Sequence, residues 1–186
     1  MSSQDVQRPV CIIGLGLIGG SLLRDLAAAK HPVFGYNHST SGARIAVKQG
    51  FDVTDDLPAI LRRAEEDKAL IVIAVPMDAV ASVLDAIQEH APSCGFTDVV
   101  SVKAEIRQLV IERDMHPRYV GGHPMAGTSK SGWENSQTGL FHRAAWVITY
   151  DYAAECDARG ERIPLEWENV FADVVRMTQM LSLIHI

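Results

Sequence analysis

Four consecutive apolar residues, Val10-Cys11-Ile12-Ile13, run straight into Gly14-Leu15-Gly16-Leu17-Ile18-Gly19-Gly20-Ser21, and an apolar helical face follows at once. Few architectures accept that order. An apolar run ending at glycine suits a strand buried on both faces. The GxGxxG spacing suits a turn that brings strand and helix together. Gly14 permits the tight turn, Gly16 lets the backbone approach a pyrophosphate, and Gly19 lets helix and strand pack closely. Leu22, Leu23 and Leu26, continued by alanines to Ala29, make the inner face of a helix that starts at about Ile18. Its N-terminus offers free N–H groups and a partial positive charge. A glycine-rich turn without a ligand is the alternative. Strand, motif and helix in register favour a dinucleotide held by Gly14, Gly16, Leu17, Ile18 and Gly19.

The alternation continues along the chain. Pro32 ends the first helix, and Val33 to Tyr36 is predicted as the second strand. Ser39 or Thr40 can cap the next helix, which runs toward Gly50. A helix containing Ile60, Leu61 and Ala64 leads to Ala69–Val75, the longest apolar strand, stopped by Pro76. A helix over about 78–90, a strand over Asp98–Val102 and a helix over about 105–114 follow. Tyr119-Val120 is a short strand, Trp146–Thr149 another, Asp151–Arg162 a polar surface loop, and Leu165–Met180 a helix with Val170, Val174 and Met177 on one face. Strands alternating with helices predict an α/β fold with a doubly wound, mostly parallel Rossmann-type sheet.

At 186 residues the chain is long enough to bury a core of one domain and the start of a second. Hydrophobic residues make up 47% and charged residues 22%, an ordinary balance for a soluble α/β protein. No apolar run reaches the roughly 20 residues that span a bilayer, and the first residues lack a basic region followed by an apolar one. The expectation is a cytoplasmic chain without a membrane partner. A net charge of -6 argues against nucleic acid as the main partner. Cys11, Cys94 and Cys156 show no metal or redox spacing, and the seven histidines form no HExxH pair, so no catalytic metal is expected.

The end of the second strand separates NAD from NADP, because an acidic residue there bonds the ribose hydroxyl and repels a 2′-phosphate. This chain has Asn37, His38 and Ser39, with Arg44 one turn into the helix. A neutral amide, hydroxyls and a guanidinium can accept a phosphate, which favours NADP with NAD as the second possibility. The competing reading, in which Asn37 and Ser39 only cap the helix and Arg44 is solvated, stays open. Val75 and Pro76, at the end of the long strand, complete the expected cofactor contacts.

His123 stands in Gly121-Gly122-His123-Pro124-Met125-Ala126-Gly127-Thr128, a run nearly free of bulky side chains. Pro124 holds it extended, and ligands of this fold bind beyond the carboxyl ends of the strands. Imidazoles titrate near neutrality, which suits removal of a hydroxyl proton as hydride leaves the same carbon. A lone histidine is more often structural. The surrounding glycines leave room for a substrate rather than for packing.

With Ala74-Val75-Pro76, Ser101-Val102-Lys103 and Ser131-Gly132-Trp133, these segments closely resemble the prephenate and arogenate dehydrogenases of tyrosine biosynthesis, over essentially residues 9 to 180. The glycine turn is common to many dehydrogenases, whereas its combination with GGHPMAG is far more specific. The resemblance implies NAD(P)-dependent oxidative decarboxylation of prephenate, arogenate or both. It makes His123 and Ser101 catalytic: His123 would take the hydroxyl proton, and Ser101 would hold that hydroxyl or orient His123. Thr128 and Ser129 would line the substrate pocket, and Lys103 has the look of a solvated charge at a helix start. Some prephenate-specific members carry glutamate where this chain has Ser129, which tilts the reading toward arogenate or mixed specificity.

Family members continue into a helical domain that forms a homodimer. Residues 1–164 are therefore expected to be the dinucleotide-binding domain and 165–180 the start of a helix toward a missing one. Leu181-Ser182-Leu183-Ile184-His185-Ile186 reads as a translation of CTGTCTCTTATACACATC, a transposon end, and is expected to be a sequencing artefact. Two rival functions remain: another two-domain dehydrogenase acting on a 3-hydroxy acid, and a non-catalytic dinucleotide-binding module.

Overall fold

In the computed structural model, residues 8–127, 130–181 and the backbone of 184–185 are described. Strands β1 (Val10–Ile13), β2 (Val33–Tyr36), β3 (Val53–Thr54), β4 (Leu70–Ile73), β5 (Phe96–Asp98) and β6 (Tyr119–Val120) form one sheet in the order β3-β2-β1-β4-β5-β6. Every pairing is parallel, with Cys11 beside Phe34 on one edge and Ile71 on the other. The predicted doubly wound Rossmann-type sheet is what forms.

The helices are α1 (Leu17–Ala28), α2 (Thr40–Lys48), α3 (Leu57–Glu66), α4 (Met77–His90), α5 (Lys103–Ile111), α6 (Asp151–Ala158) and α7 (Leu165–Leu181). Successive strand side chains point to opposite faces, so the apolar runs feed two cores. Val10, Ile12, Leu70 and Val72 pack with Leu22, Leu23 and Leu26 of α1 and Val170, Val174 and Met177 of α7. Cys11, Ile13, Ile71 and Ile73 pack with Leu61 of α3, Leu84 and Ile87 of α4 and Ile106 of α5. Each such aliphatic side chain contributes about 1.5–3 kcal/mol on full burial. α7, the helix expected to lead away from this domain, thus lies against its sheet.

Local signals set several boundaries. The Ser39 hydroxyl accepts the Gly42 N–H at 3.2 Å and starts α2, and Asp56 accepts the Ala59 N–H at 2.9 Å and starts α3. Three sequence expectations need correction. β5 ends at Asp98 instead of running from Asp98 to Val102, because the Asp98 carboxylate accepts the Val100 N–H at 2.7 Å and turns the chain out of the ladder. Residues 151–162 are not wholly loop: α6 forms there, burying Ala153 and Cys156. The strand at Trp146 lies outside the parallel sheet. It belongs to β8 (Ala145–Ile148), antiparallel to β7 (Gly122–Pro124), and the backbone of 184–185 runs parallel to the other edge of β8. β3, absent from the sequence reading, adds two residues at the sheet edge.

Candidate active site

A cleft of about 660 Å³ opens at the carboxyl ends of β1, β2 and β4. Its floor is the glycine turn. Gly14 has φ +102, and a Cβ there would sit 2.7 Å from the Ala74 carbonyl oxygen. Gly19 presses on Gly14, whose carbonyl oxygen a methyl at Gly19 would overlap. Gly16 differs: a Cβ on it would meet nothing within 4 Å, so its backbone faces open space. It is also the N-cap of α1, with no side chain closing the first turn. Free N–H groups beside an open backbone face fit a dinucleotide pyrophosphate.

Gly14, Gly16, Leu17, Ile18, Asn37, His38, Ser39, Val75, Pro76, Ser101 and His123 all line the cleft, as do Lys130 and Glu134 from the loop beyond β7. Gly19 lies beneath this lining and shapes it by packing. Arg44 is exposed on α2 and is not among the lining residues. Asn37 is only 6% exposed, and its side-chain oxygen accepts the Ser39 N–H at 3.1 Å. The amide and the Ser39 hydroxyl therefore brace the α2 entry, and His38 and Ser41 line the cleft beside them. Thr128 and Ser129 lie outside the described residues.

His123 comes from the middle of β7, where it pairs with Val147 of β8. Its Nδ1 lies 3.3 Å from the Val99 carbonyl oxygen, so the ring bonds the backbone rather than Ser101. Lys103 is not the solvated charge expected at a helix start. Its ammonium pairs with the fully buried Asp98 and donates to the Gly122 carbonyl oxygen at 2.6 Å. Burial pushes the Lys103 pKa below the usual lysine value, against the opposing pull of Asp98. The remaining Asp98 oxygen accepts the Tyr119 hydroxyl at 2.7 Å.

The loop that closes the cleft is anchored by Trp133, which is 3% exposed. The Arg24 guanidinium stands 4.2 Å from its ring centre, and Phe51 meets it edge-on at 5.4 Å. No local motif singles out Lys130 or Glu134; only the Ser131-Gly132-Trp133 segment pointed to this loop. A second cavity of about 220 Å³ lies near α5, α6 and α7, where Arg107 and Glu155 pair with each other. Among the described residues, no helix is long and apolar enough to cross a membrane and no metal-binding cluster is gathered.

A parallel sheet whose glycine turn and uncapped helix open into one cleft defines a nucleotide-binding domain. Residues 20–160 match the family model for the prephenate dehydrogenase nucleotide-binding domain, and the chain belongs to that family. It is 32% identical over 146 residues to the prephenate dehydrogenase of Lactococcus lactis subsp. cremoris, covering 76% of this chain and 41% of that protein. A crystal structure of a putative prephenate dehydrogenase from Corynebacterium glutamicum is 55% identical with a TM-score of 0.91, covering 98% of this chain and 56% of that one. The Aquifex aeolicus prephenate dehydrogenase, solved with hydroxyphenyl propionate and NAD+, shares the fold at 19% identity and a TM-score of 0.71, covering 99% of this chain and 61% of that one. The chain thus spans about two fifths of the Lactococcus protein and just over half of the Corynebacterium chain.

Proposed function

We propose that this chain carries the dinucleotide-binding and proton-accepting part of a dehydrogenase that oxidatively decarboxylates prephenate, arogenate or both. Residues 1–164 form the dinucleotide-binding unit in this reading. The observation that carries it is the shared cleft: His123 lines the same space as the open Gly16 backbone and the α1 N-terminus. The Aquifex structure supports it, since that relative binds NAD+ together with a phenolic acid.

A nicotinamide dinucleotide bound there would supply the hydride acceptor. The chain's own residues do the rest. The first N–H groups of α1 would hold the pyrophosphate, and Val75 and Pro76 line the cleft toward His123. The Val99 carbonyl only accepts, so Nδ1 must donate to it, which leaves the Nε2 lone pair for the substrate hydroxyl. His123 takes that proton as hydride departs from the same carbon. Loss of carbon dioxide then lets the ring become aromatic. Ser101 sits at the exposed rim of the cleft and bonds the hydroxyl, and Thr128 and Ser129 contribute further substrate contacts. NADP is the preferred cofactor and NAD the second, because Asn37 is neutral and His38 and Ser39 face the cleft where a carboxylate would repel a 2′-phosphate.

Reduction of NADP+ or NAD+ at high protein concentration, with prephenate, arogenate or a 3-hydroxy acid, tests the reading. This chain alone is expected to bind dinucleotide weakly and to turn over little or no substrate, so any reduction should be slow and should appear with one of the first two substrates. His123→Ala should bind the dinucleotide as before and lose turnover by at least about 100-fold. Reduction with the 3-hydroxy acid alone, or undiminished turnover by His123→Ala, refutes it.

A further inference from the structure

Asp98 is the last residue of β5, is 0% exposed, and is spent on neither nucleotide nor substrate in the reading above. Its bonds run in three directions. One oxygen accepts the Val100 N–H at 2.7 Å and pairs with the Lys103 ammonium, while the other accepts the Tyr119 hydroxyl at 2.7 Å. Two of these contacts end beside His123. Holding the Val100 N–H fixes the Val99–Val100 turn, whose Val99 carbonyl faces His123 Nδ1 at 3.3 Å. Lys103 carries the second connection, because the same ammonium donates to the carbonyl of Gly122, the residue before His123, at 2.6 Å.

A buried carboxylate left without partners costs far more than one fully bonded, so the carboxylate keeps these groups in place. The imidazole hangs between two peptide segments that a single side chain ties together.

We propose that Asp98 is a positioning residue for His123. Acting directly on the Val99–Val100 turn and through Lys103 on Gly122, it holds the ring against the Val99 carbonyl. It thereby selects the neutral form with the proton on Nδ1 and the lone pair on Nε2. Free imidazole in a histidine side chain favours the opposite tautomer, so the selection must come from the surroundings. The functional meaning rests on His123 being the proton acceptor. The structural claim does not, and the two can fail separately.

The test is the nitrogen chemical shifts of His123 in the uniformly 15N-labelled chain at alkaline pH, read from long-range proton–nitrogen correlations and assigned by their loss in His123→Gln. The wild type is expected to show a protonated Nδ1 and an unprotonated Nε2. Asp98→Asn should lose that separation, with both nitrogens moving toward averaged shifts. Tyr119→Phe removes a bond to the same carboxylate but leaves the Val100 and Lys103 bonds that lead to His123 in place, and it should keep the wild-type pattern. Lys103→Met should move the shifts in the same direction as Asp98→Asn, and it carries the test if Asp98→Asn does not fold. A wild type with the proton on Nε2 overturns the proposal. So does a folded Asp98→Asn, or in its place Lys103→Met, with unchanged shifts. Turnover plays no part in this readout, so a catalytically dispensable His123 would refute the proposed function while leaving the positioning claim standing.

Discussion

Replacing Gly16 and Gly19 one at a time by alanine separates ligand binding from folding within a single turn. Gly16 has φ -80 and ψ -154, a conformation open to alanine, and its Cβ would meet nothing within 4 Å. The folded state loses only the small advantage of glycine over alanine as an N-cap, about 1 kcal/mol at most, or a fall in Tm of about 2–4 °C. The same methyl projects into the cleft where the pyrophosphate is assigned. Holding a phosphate away from one N–H removes a charge-assisted hydrogen bond worth about 1.5–3 kcal/mol, which weakens dinucleotide affinity about 10- to 150-fold. Gly19 behaves in the opposite way. Its methyl would overlap the Gly14 carbonyl oxygen, so α1 must shift away from β1. The overpacking costs about 3 kcal/mol and lowers Tm by about 6–12 °C. Calorimetric titration with NADP+ and NAD+, paired with thermal unfolding, reads both effects. Wild-type affinity in Gly16→Ala, or a larger loss of stability there than in Gly19→Ala, would refute the assignment of the open backbone face to the pyrophosphate.

Trp133→Ala removes a side chain only 3% exposed that Arg24 and Phe51 both contact. It should cost about 3–5 kcal/mol, seen as a lower denaturation midpoint in urea. Asn37→Asp keeps the acceptor for the Ser39 N–H and adds a negative charge at the end of β2. The ratio of NADP+ to NAD+ affinity should fall about five- to thirtyfold, from about 1–2 kcal/mol of repulsion, and an unchanged ratio would mean that this residue does not face the ribose. His31 has its pKa lowered by burial, with Nε2 bonded to the Arg8 carbonyl oxygen at 3.0 Å and Nδ1 buried without a partner among the described residues. The unfolded chain therefore takes up this proton first. Stability should drop as pH falls below the ordinary histidine value of 6.5 toward the lower folded value, and urea unfolding of His31→Gln should show a flatter profile across that window.

Much of the sheet was legible because β1 and β4 are buried on both faces and so read as unbroken apolar runs. β5 was misplaced for a related reason. Val99, Val100 and Val102 look like strand, but the ladder had already been ended by a polar bond from Asp98, which no periodicity reveals. α6 carries just two buried residues, Ala153 and Cys156, among charged neighbours, too faint a stripe to stand out from loop. β3 is two residues long and partly exposed. In the site, the glycine turn and His123 could be found because their spacing is local. Lys103 could not be read as buried, since the turn after β5 brings Asp98 onto it and Gly122 meets it only once β7 lies beside β5.

The antiparallel pairing of β7 with β8 has a consequence for how such a domain diversifies. His123 faces Val147 across two strands whose register is set at Gly122 with Ile148 and at Pro124 with Trp146. The described residues 126–127 and 130–144 lie on an excursion from that ribbon, which is rejoined at Ala145. Rewriting its exposed positions, while keeping the buried Trp133 and Phe141 that anchor it to α1, would alter what the mouth of the cleft recognises without displacing the imidazole. Selectivity can drift while His123 stays where it is, because β7 and β8 hold it on either side of the excursion.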